Sequence, residues 1–230
     1  MRRSGMTEVA IVADAPGGPT PLAAVTEADP AALYRAMLAD VLNTCERSGA
    51  DVLVNVGPPD TAEAVSAMEA LVAAEALEPD AVRIEPQVGA DHGARVHATV
   101  DHLLATSDHR TVAVVYPEVP MVRRAMIDGA AMRLRSAEVV IAPDTTGSVS
   151  LFGVAEPLEL QTMPASAPVA MLADLAAAAG HRVGFLEMVP RVRSDAALAV
   201  TRRLLQARAA AGAEVPTRTA NLLDVETQQS

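Results

Sequence analysis

The sequence has no lysine and no tryptophan, and its only aromatic residues are Tyr34, Tyr116, Phe152 and Phe185. With so few large rings, the core has to be assembled from Ala, Val, Leu and Met, packed by number rather than around aromatic anchors. Cys45 stands alone, which excludes an intrachain disulfide and fits a reducing compartment. Long apolar runs are also missing. The stretch Val9–Ala13 is too short for a signal peptide, and Ala167–Gly180, interrupted by Asp174, falls short of a membrane span. The expectation is a cytoplasmic protein with no membrane span.

Every basic side chain is an arginine, and the 18 of them face 29 acids, for a formal charge of −11. Nucleic acid and anionic membranes repel such a chain, so no nucleic-acid partner is expected. The acids are scattered rather than gathered into a run, which argues against a disordered acidic tail. This acid-rich, lysine-free, alanine- and valine-rich composition resembles proteins of salt-loving archaea, where salt screens the self-repulsion. A high-GC genome that writes Arg for Lys gives the same bias, and composition leaves both explanations open.

What is present alternates strand-like and helix-like segments. Glu8–Ala13 reads as a buried strand. From Pro30 to Ser48, Leu33, Met37 and Val41 recur every fourth residue, with Asp29 as N-cap, Pro30 at the first position and Gly49 at the end. "DVLVNV" is a second strand stopped by Gly57-Pro58-Pro59, and Asp60–Leu77 a second helix. "VRIEPQV" is a strand that Pro86 places near an edge or an end, followed by a helix over 94–106. "TVAVVY", "AEVVIAP" and "RVGFLEMV" are further strands, with "GSVSLFGV" a short one leaving a turn. Helices are expected over Met121–Ser136, Pro168–Ala179 and Asp195–Ala211. The pattern predicts one α/β domain over 8–211, a mostly parallel twisted sheet with helices on both faces, and flexible termini at 1–7 and 212–230. A ligand is expected at the carboxyl ends of the strands.

Four loops there carry the candidate chemistry. In Asp14–Asp29, Ala15, Pro16, Gly17 and Gly18 could let backbone N–H groups approach a phosphate, but no basic side chain and no G-x-G-x-x-G or Walker pattern accompanies them; a plain surface turn reads equally well. In "QVGADHGARV", Gln87, Gly89 and Gly93 lead into a helix whose first turn carries Arg95, an anion site or an ordinary loop. In "YPEVP", Glu118 is a candidate ligand for a divalent metal, or a partner for a helix dipole. In "APDTTGSVSLFGV", Asp144 is a candidate ligand or a turn former. The histidines lack metal-pair spacing: His92, His97 and His102 are not four apart, and His109 and His181 stand in loops.

The order of these loops resembles the glycosyltransferase-A-like proteins labelled "selenodomain-associated transferase 1", which have the nucleotide-diphospho-sugar transferase fold, over nearly the whole chain from Glu8 to Ala211. That family's A-K-A-P-x-P-G-x-x-K-T-R-L is similar to "ADAPGGPTPL", its first helix to "PAALYRAMLADVL", and its Q-x-G-x-L-G-x-R to Gln87, Gly89, Gly93 and Arg95. Its D-S-P-D-L-P corresponds to "VYPEVP" and its P-A-E-D-G-G-Y-Y-L-L-G to "PDTTGSVSLFG". The departures are charged positions. The Lys, Thr and Arg of the first loop have no counterpart, the metal aspartate falls on Val115, and D-G-G becomes Thr146-Gly147-Ser148. A late D-V-D becomes Arg191-Val192-Arg193.

The resemblance implies a nucleotide-sugar or other small anionic ligand, with Mg or Mn on Glu118 or Asp144. It also suggests that Arg191, Arg193 and Arg95 replace the metal with guanidinium groups. Three functions stay open: a nucleotide-sugar-dependent transferase with eroded metal and phosphate motifs, a non-catalytic binding descendant, or a nucleotidyltransferase resembling 2-phospholactate guanylyltransferase. No catalytic residue is assigned.

Overall fold

The computed structural model describes residues 7–18, 21–57, 62–106 and 111–225. The sequence readings at the extreme termini, at Pro58-Pro59 and Asp60, and at His109 lie outside those residues. The strands are β1 (Glu8–Asp14), β2 (Asp51–Gly57), β3 (Val82–Pro86), β4 (Val112–Val115), β5 (Val139–Pro143), β6 (Val149–Val154) and β7 (Val183–Phe185). The helices are α1 (Pro30–Ser48), α2 (Ala62–Glu75), α3 (His92–Thr106), α4 (Arg124–Arg133), α5 (Val169–Ala178), α6 (Asp195–Ala210) and α7 (Thr217–Leu222).

Local chemistry sets the clearest boundaries. Asp29 Oδ1 accepts hydrogen bonds from the backbone N–H groups of Ala31 (2.9 Å) and Ala32 (3.4 Å), Pro30 occupies the first turn, and Gly49 ends α1 at φ 72°. Along α1, Leu33, Met37, Leu38, Val41, Leu42 and Cys45 form the buried stripe that the spacing predicts.

The strands form one seven-stranded sheet in the order β3-β2-β1-β4-β6-β5-β7. The pairs β1–β2, β1–β4, β2–β3 and β5–β7 are parallel. This is the mostly parallel α/β sheet with flanking helices that the alternation predicts, and β3 does lie at an edge. Its exception is β6, which runs antiparallel to both neighbours. The connection from β5 covers only residues 144–148, too short for a crossover helix, so the chain folds back as a hairpin. Every residue of β4 and β6 is buried. Each such Val, Leu or Phe contributes about 1.5–3 kcal/mol relative to exposure.

One expectation is corrected. The chain beyond Gly212 is not a loose tail as far as residue 225: α7 packs on α1, with Ala220, Leu223 and Val225 buried. The capture is polar. The buried Asp40 carboxylate on α1 accepts from Thr219 N (2.7 Å), Thr219 Oγ1 (2.7 Å) and Arg218 N (3.2 Å). It thereby serves as a remote cap for the first turn of α7, which local sequence could not reveal.

Candidate functional site

The carboxyl ends of β1, β3 and β4 meet the segment after β7 in a cleft lined by Asp14, Tyr34, His92, Tyr116, Glu118, Arg191 and Arg193, among others. Its floor is fixed by side chains that hold backbone. Tyr34 Oη accepts from Asp14 N (2.8 Å) and donates to Asp14 O (3.3 Å), which pins the end of β1 to α1. Gln87, buried after β3, donates through Nε2 to Ala13 O (3.1 Å) and Asn55 O (2.9 Å), bridging the ends of β1 and β2. A Cβ at Gly57 would lie 2.5 Å from Gln87 Oε1, so any side chain there has to push the Gln87 amide aside.

The charged centre is Glu118, buried in the turn after β4. Arg191 Nη2 lies 3.3 Å from Glu118 Oε1 and Arg193 Nε 3.7 Å from the same oxygen. The Arg191 guanidinium also donates to Val149 O (3.1 Å) and stacks over the Tyr116 ring at 3.7 Å from its centroid. Backbone closes the link, with Val192 N donating to Glu118 O at 2.7 Å. Arg193, one third exposed, donates through Nη1 to Ala165 O (2.8 Å). Just beyond, Asp195 at the start of α6 accepts from Thr26 N and Oγ1 and from Glu27 N, tying the first loop to this segment.

These charges perturb their neighbours. Burial, reinforced by Glu118, pushes Asp14 up to about 6, against the opposing pull of Arg95 and Arg193. Burial and the three arginines push His92 down to about 4, so it is neutral at pH 7. Burial lifts the Tyr116 phenol to about 12. Desolvation, mainly, raises Tyr34 well above the usual range for a phenol.

The sequence candidates divide into two groups. Glu118, Arg191 and Arg193 come together, and Arg95 is near enough for its charge to act on Asp14 and His92. Gln87, Gly89 and Gly93 serve architecture. A Cβ on Gly89, at φ 141°, would lie 2.7 Å from Arg95 N, and one on Gly93 2.3 Å from Gln161 O. In the first loop, Gly17 (φ 86°) is the third residue of a turn closed by Gly18 N to Ala15 O at 3.1 Å, a type II pattern with Pro16 second. That bond occupies the Gly18 amide. Asp144 shapes its own turn, its carboxylate accepting from Thr146 N (2.6 Å), Thr146 Oγ1 (2.8 Å) and Ser148 N (2.8 Å).

The donor set does not suit a divalent cation. Glu118 faces two guanidiniums, Asp144 is filled by its turn, and no three His, Cys, Asp or Glu side chains group to hold a metal among the described residues. Sequence reasoning missed Asp14, His92, Tyr34 and Tyr116 as site residues. Their one signal was position, since Asp14 and Tyr116 each end or directly follow a buried strand.

The fold is shared with known structures. A Desulfovibrio desulfuricans G20 protein, ascribed by its name to the nucleotide-diphospho-sugar transferases, matches with a TM-score of 0.73 at 18% identity, over 95% of this chain and 98% of that one. Rv0371c of Mycobacterium tuberculosis H37Rv, solved with manganese, matches with a TM-score of 0.51 at 16% identity, over 85% and 97%. CMP:2-keto-3-deoxy-manno-octonic acid synthetase complexed with CTP matches with a TM-score of 0.51 at 14% identity, over 89% and 100%. At these identities the likeness is one of fold. No curated protein matches the chain. The family model DUF2064, described as an uncharacterized protein conserved in bacteria, matches residues 41–167, and with more than half of its length so covered this chain belongs to that family.

Proposed function

We propose that the cleft binds the diphosphate of a nucleotide-activated sugar, and that guanidinium groups meet its charge where a divalent cation would otherwise stand. The observation that carries this reading is the grouping of Arg191 and Arg193 on Glu118 at the carboxyl ends of the strands, within electrostatic reach of Asp14. Guanidinium forks match phosphate oxygens bidentately and stay charged when partly desolvated. The fold supports the ligand class, since one neighbour is a synthetase complexed with CTP and another bears a nucleotide-diphospho-sugar transferase name.

In the transfer this arrangement suits, an acceptor oxygen bonds to the anomeric carbon while that carbon's bond to the diphosphate breaks. The nucleoside diphosphate leaves with the electron pair, stabilised by Arg193 and Arg95. Asp14, pushed up to about 6, takes the acceptor's proton at neutral pH. A specific observation favours binding without transfer as the second reading: Arg191 already holds Glu118 and Val149 O, which leaves fewer donors for a leaving group.

The test is thermal stability of the full chain against UDP-, GDP-, CDP- and dTDP-sugars in EDTA, then in Mg or Mn. One sugar nucleotide at a hundred times its dissociation constant should stabilise by about 2.7 kcal/mol in EDTA, and Arg193→Ala should abolish the shift. No shift with any nucleotide, or one that needs metal, would sink the reading. Once binding is found, release of nucleoside diphosphate marks glycosyl transfer, release of pyrophosphate marks nucleotidyl transfer, and neither marks binding alone.

A further inference from the structure

We propose that a second groove, formed by α1, the 120–124 segment, the end of α6 and the chain leading into α7, binds a small organic anion that carries a phosphate group. The groove encloses about 330 Å³ and shares no lining residue with the cleft described above. Five arginines line it (Arg47, Arg123, Arg124, Arg208 and Arg218) against two acids, Asp40 and Glu214. In a chain of net charge −11, this is a local reversal of sign.

The ion pairs explain four of the five. Arg47 pairs with Glu214 at 2.8 Å, Arg124 with Asp128 at 3.3 Å, Arg123 with Glu187, and Arg218 with Glu75. Three of these acids, Asp128, Glu187 and Glu75, stand outside the groove lining. The pairs of Arg47, Arg123 and Arg124 are exposed and hold their partners weakly, so a phosphate can compete for these three, whereas Arg218 is held further by Asn43 Oδ1 (3.4 Å) and Glu75 O (3.3 Å). Arg208 differs. It is partly buried, its guanidinium has no hydrogen bond or ion pair among the described residues, and burial and then Arg123 disfavour its positive charge against the smaller opposing pull of Glu214 and Glu187. Asp40 does not relieve it, because the Asp40 carboxylate is engaged by Thr219 and Arg218.

An unpaired guanidinium kept beside a second one, in an acid-rich protein, is a charge arranged for an incoming anion. The volume narrows the class. It falls within the range of small-molecule sites and exceeds what inorganic phosphate fills, which favours a phosphate monoester of roughly sugar size.

The experiment is titration calorimetry of the full chain at low salt with glucose 6-phosphate, glycerol 3-phosphate and inorganic phosphate as probes. A monoester should bind more tightly than inorganic phosphate. Arg208→Gln should weaken it at least tenfold, and Arg193→Ala, in the other cleft, should leave it unchanged. Without ligand, Arg208→Gln should melt at or above the parent, since it removes a charge that burial and Arg123 on balance disfavour. Absence of monoester binding, binding insensitive to Arg208→Gln, or equal affinity for inorganic phosphate would overturn the proposal. So would a lower melting temperature for Arg208→Gln, the mark of a structural arginine. Should Arg208→Gln fail to fold, Arg123→Gln carries the same tenfold expectation.

Discussion

Arginine plays two different parts in the strand-end cleft and in the α1–α7 groove. In the strand-end cleft, Arg191 and Glu118 are both almost fully buried, with side-chain exposures of 2% and 3%, and each compensates the other's desolvation. In the α1–α7 groove the guanidiniums are partly solvated, and Arg208 makes no hydrogen bond or ion pair among the described residues. Burial decides between these roles. A cation out of water must be paired and is thereby committed to the fold, whereas a half-solvated one can be left open for a ligand at modest cost.

The sharpest way to break the comparison is to remove the committed cation. Arg191→Ala leaves Glu118 buried beside a cavity and strips the stacking from Tyr116. The expected loss is about 3–5 kcal/mol in urea denaturation. A loss under about 1 kcal/mol would show that water reaches the pair. Arg208→Gln is expected to leave stability unchanged or raise it, so the two variants together test whether burial decides which guanidinium the fold depends on.

Next in size is Asp40→Ala, which removes the acceptor that holds Thr219 and Arg218 N–H groups at the first turn of α7. The expected cost is about 1–3 kcal/mol. Hydrogen exchange should show protection lost across Thr217–Val225 while β1 and β4 keep theirs. If the two regions lose protection together, α7 is integral to the core rather than a docked element.

The smallest expected effect concerns pH. Asp14, raised to about 6, binds more protons when folded than when unfolded between its ordinary value of 3.8 and about 6. It therefore adds stability at low pH that is lost as pH rises through about 6. His92, lowered to about 4 from 6.5, does the reverse, and its contribution falls away as pH drops from 6.5 toward 4. The two slopes oppose each other over much of the same window. Asp14→Asn should leave a stability curve that declines more steeply in acid, and His92→Gln one that declines more steeply toward neutrality. Each change is expected to be on the order of 1 kcal/mol, read from urea midpoints at pH 4 and 7. Superimposable curves for both variants would contradict the assigned perturbations.

Legibility in the sequence followed the range of the interactions. The ends of α1 were readable because Asp29, Pro30 and Gly49 act within a few residues of the helix they bound. The edge position of β3 was readable from Pro86. Gln87, Gly89, Gly93 and Arg95 were visible as a motif, but the motif did not disclose that the first three hold backbone in place. Gly93 is glycine because carbonyls of residues 161 and 163 come against it, a contact nearly seventy residues away in the chain. The α7 segment looked like a tail because its anchor, Asp40, is 179 residues from Thr219.

Composition and short-range pattern were enough for the α/β class, the order of strands and helices as far as α6, the alanine- and valine-built core and the excess of acid. All of these follow from periodicity, capping and composition, which act over short stretches of chain. Only the tertiary structure decided that β6 inserts antiparallel between β4 and β5, that Arg191 and Arg193 close on Glu118, and that Asp14 and His92 face them. Those outcomes depend on Coulomb and desolvation energies set by distance in space, and residues 14, 92, 118 and 191 become neighbours only once the sheet has formed.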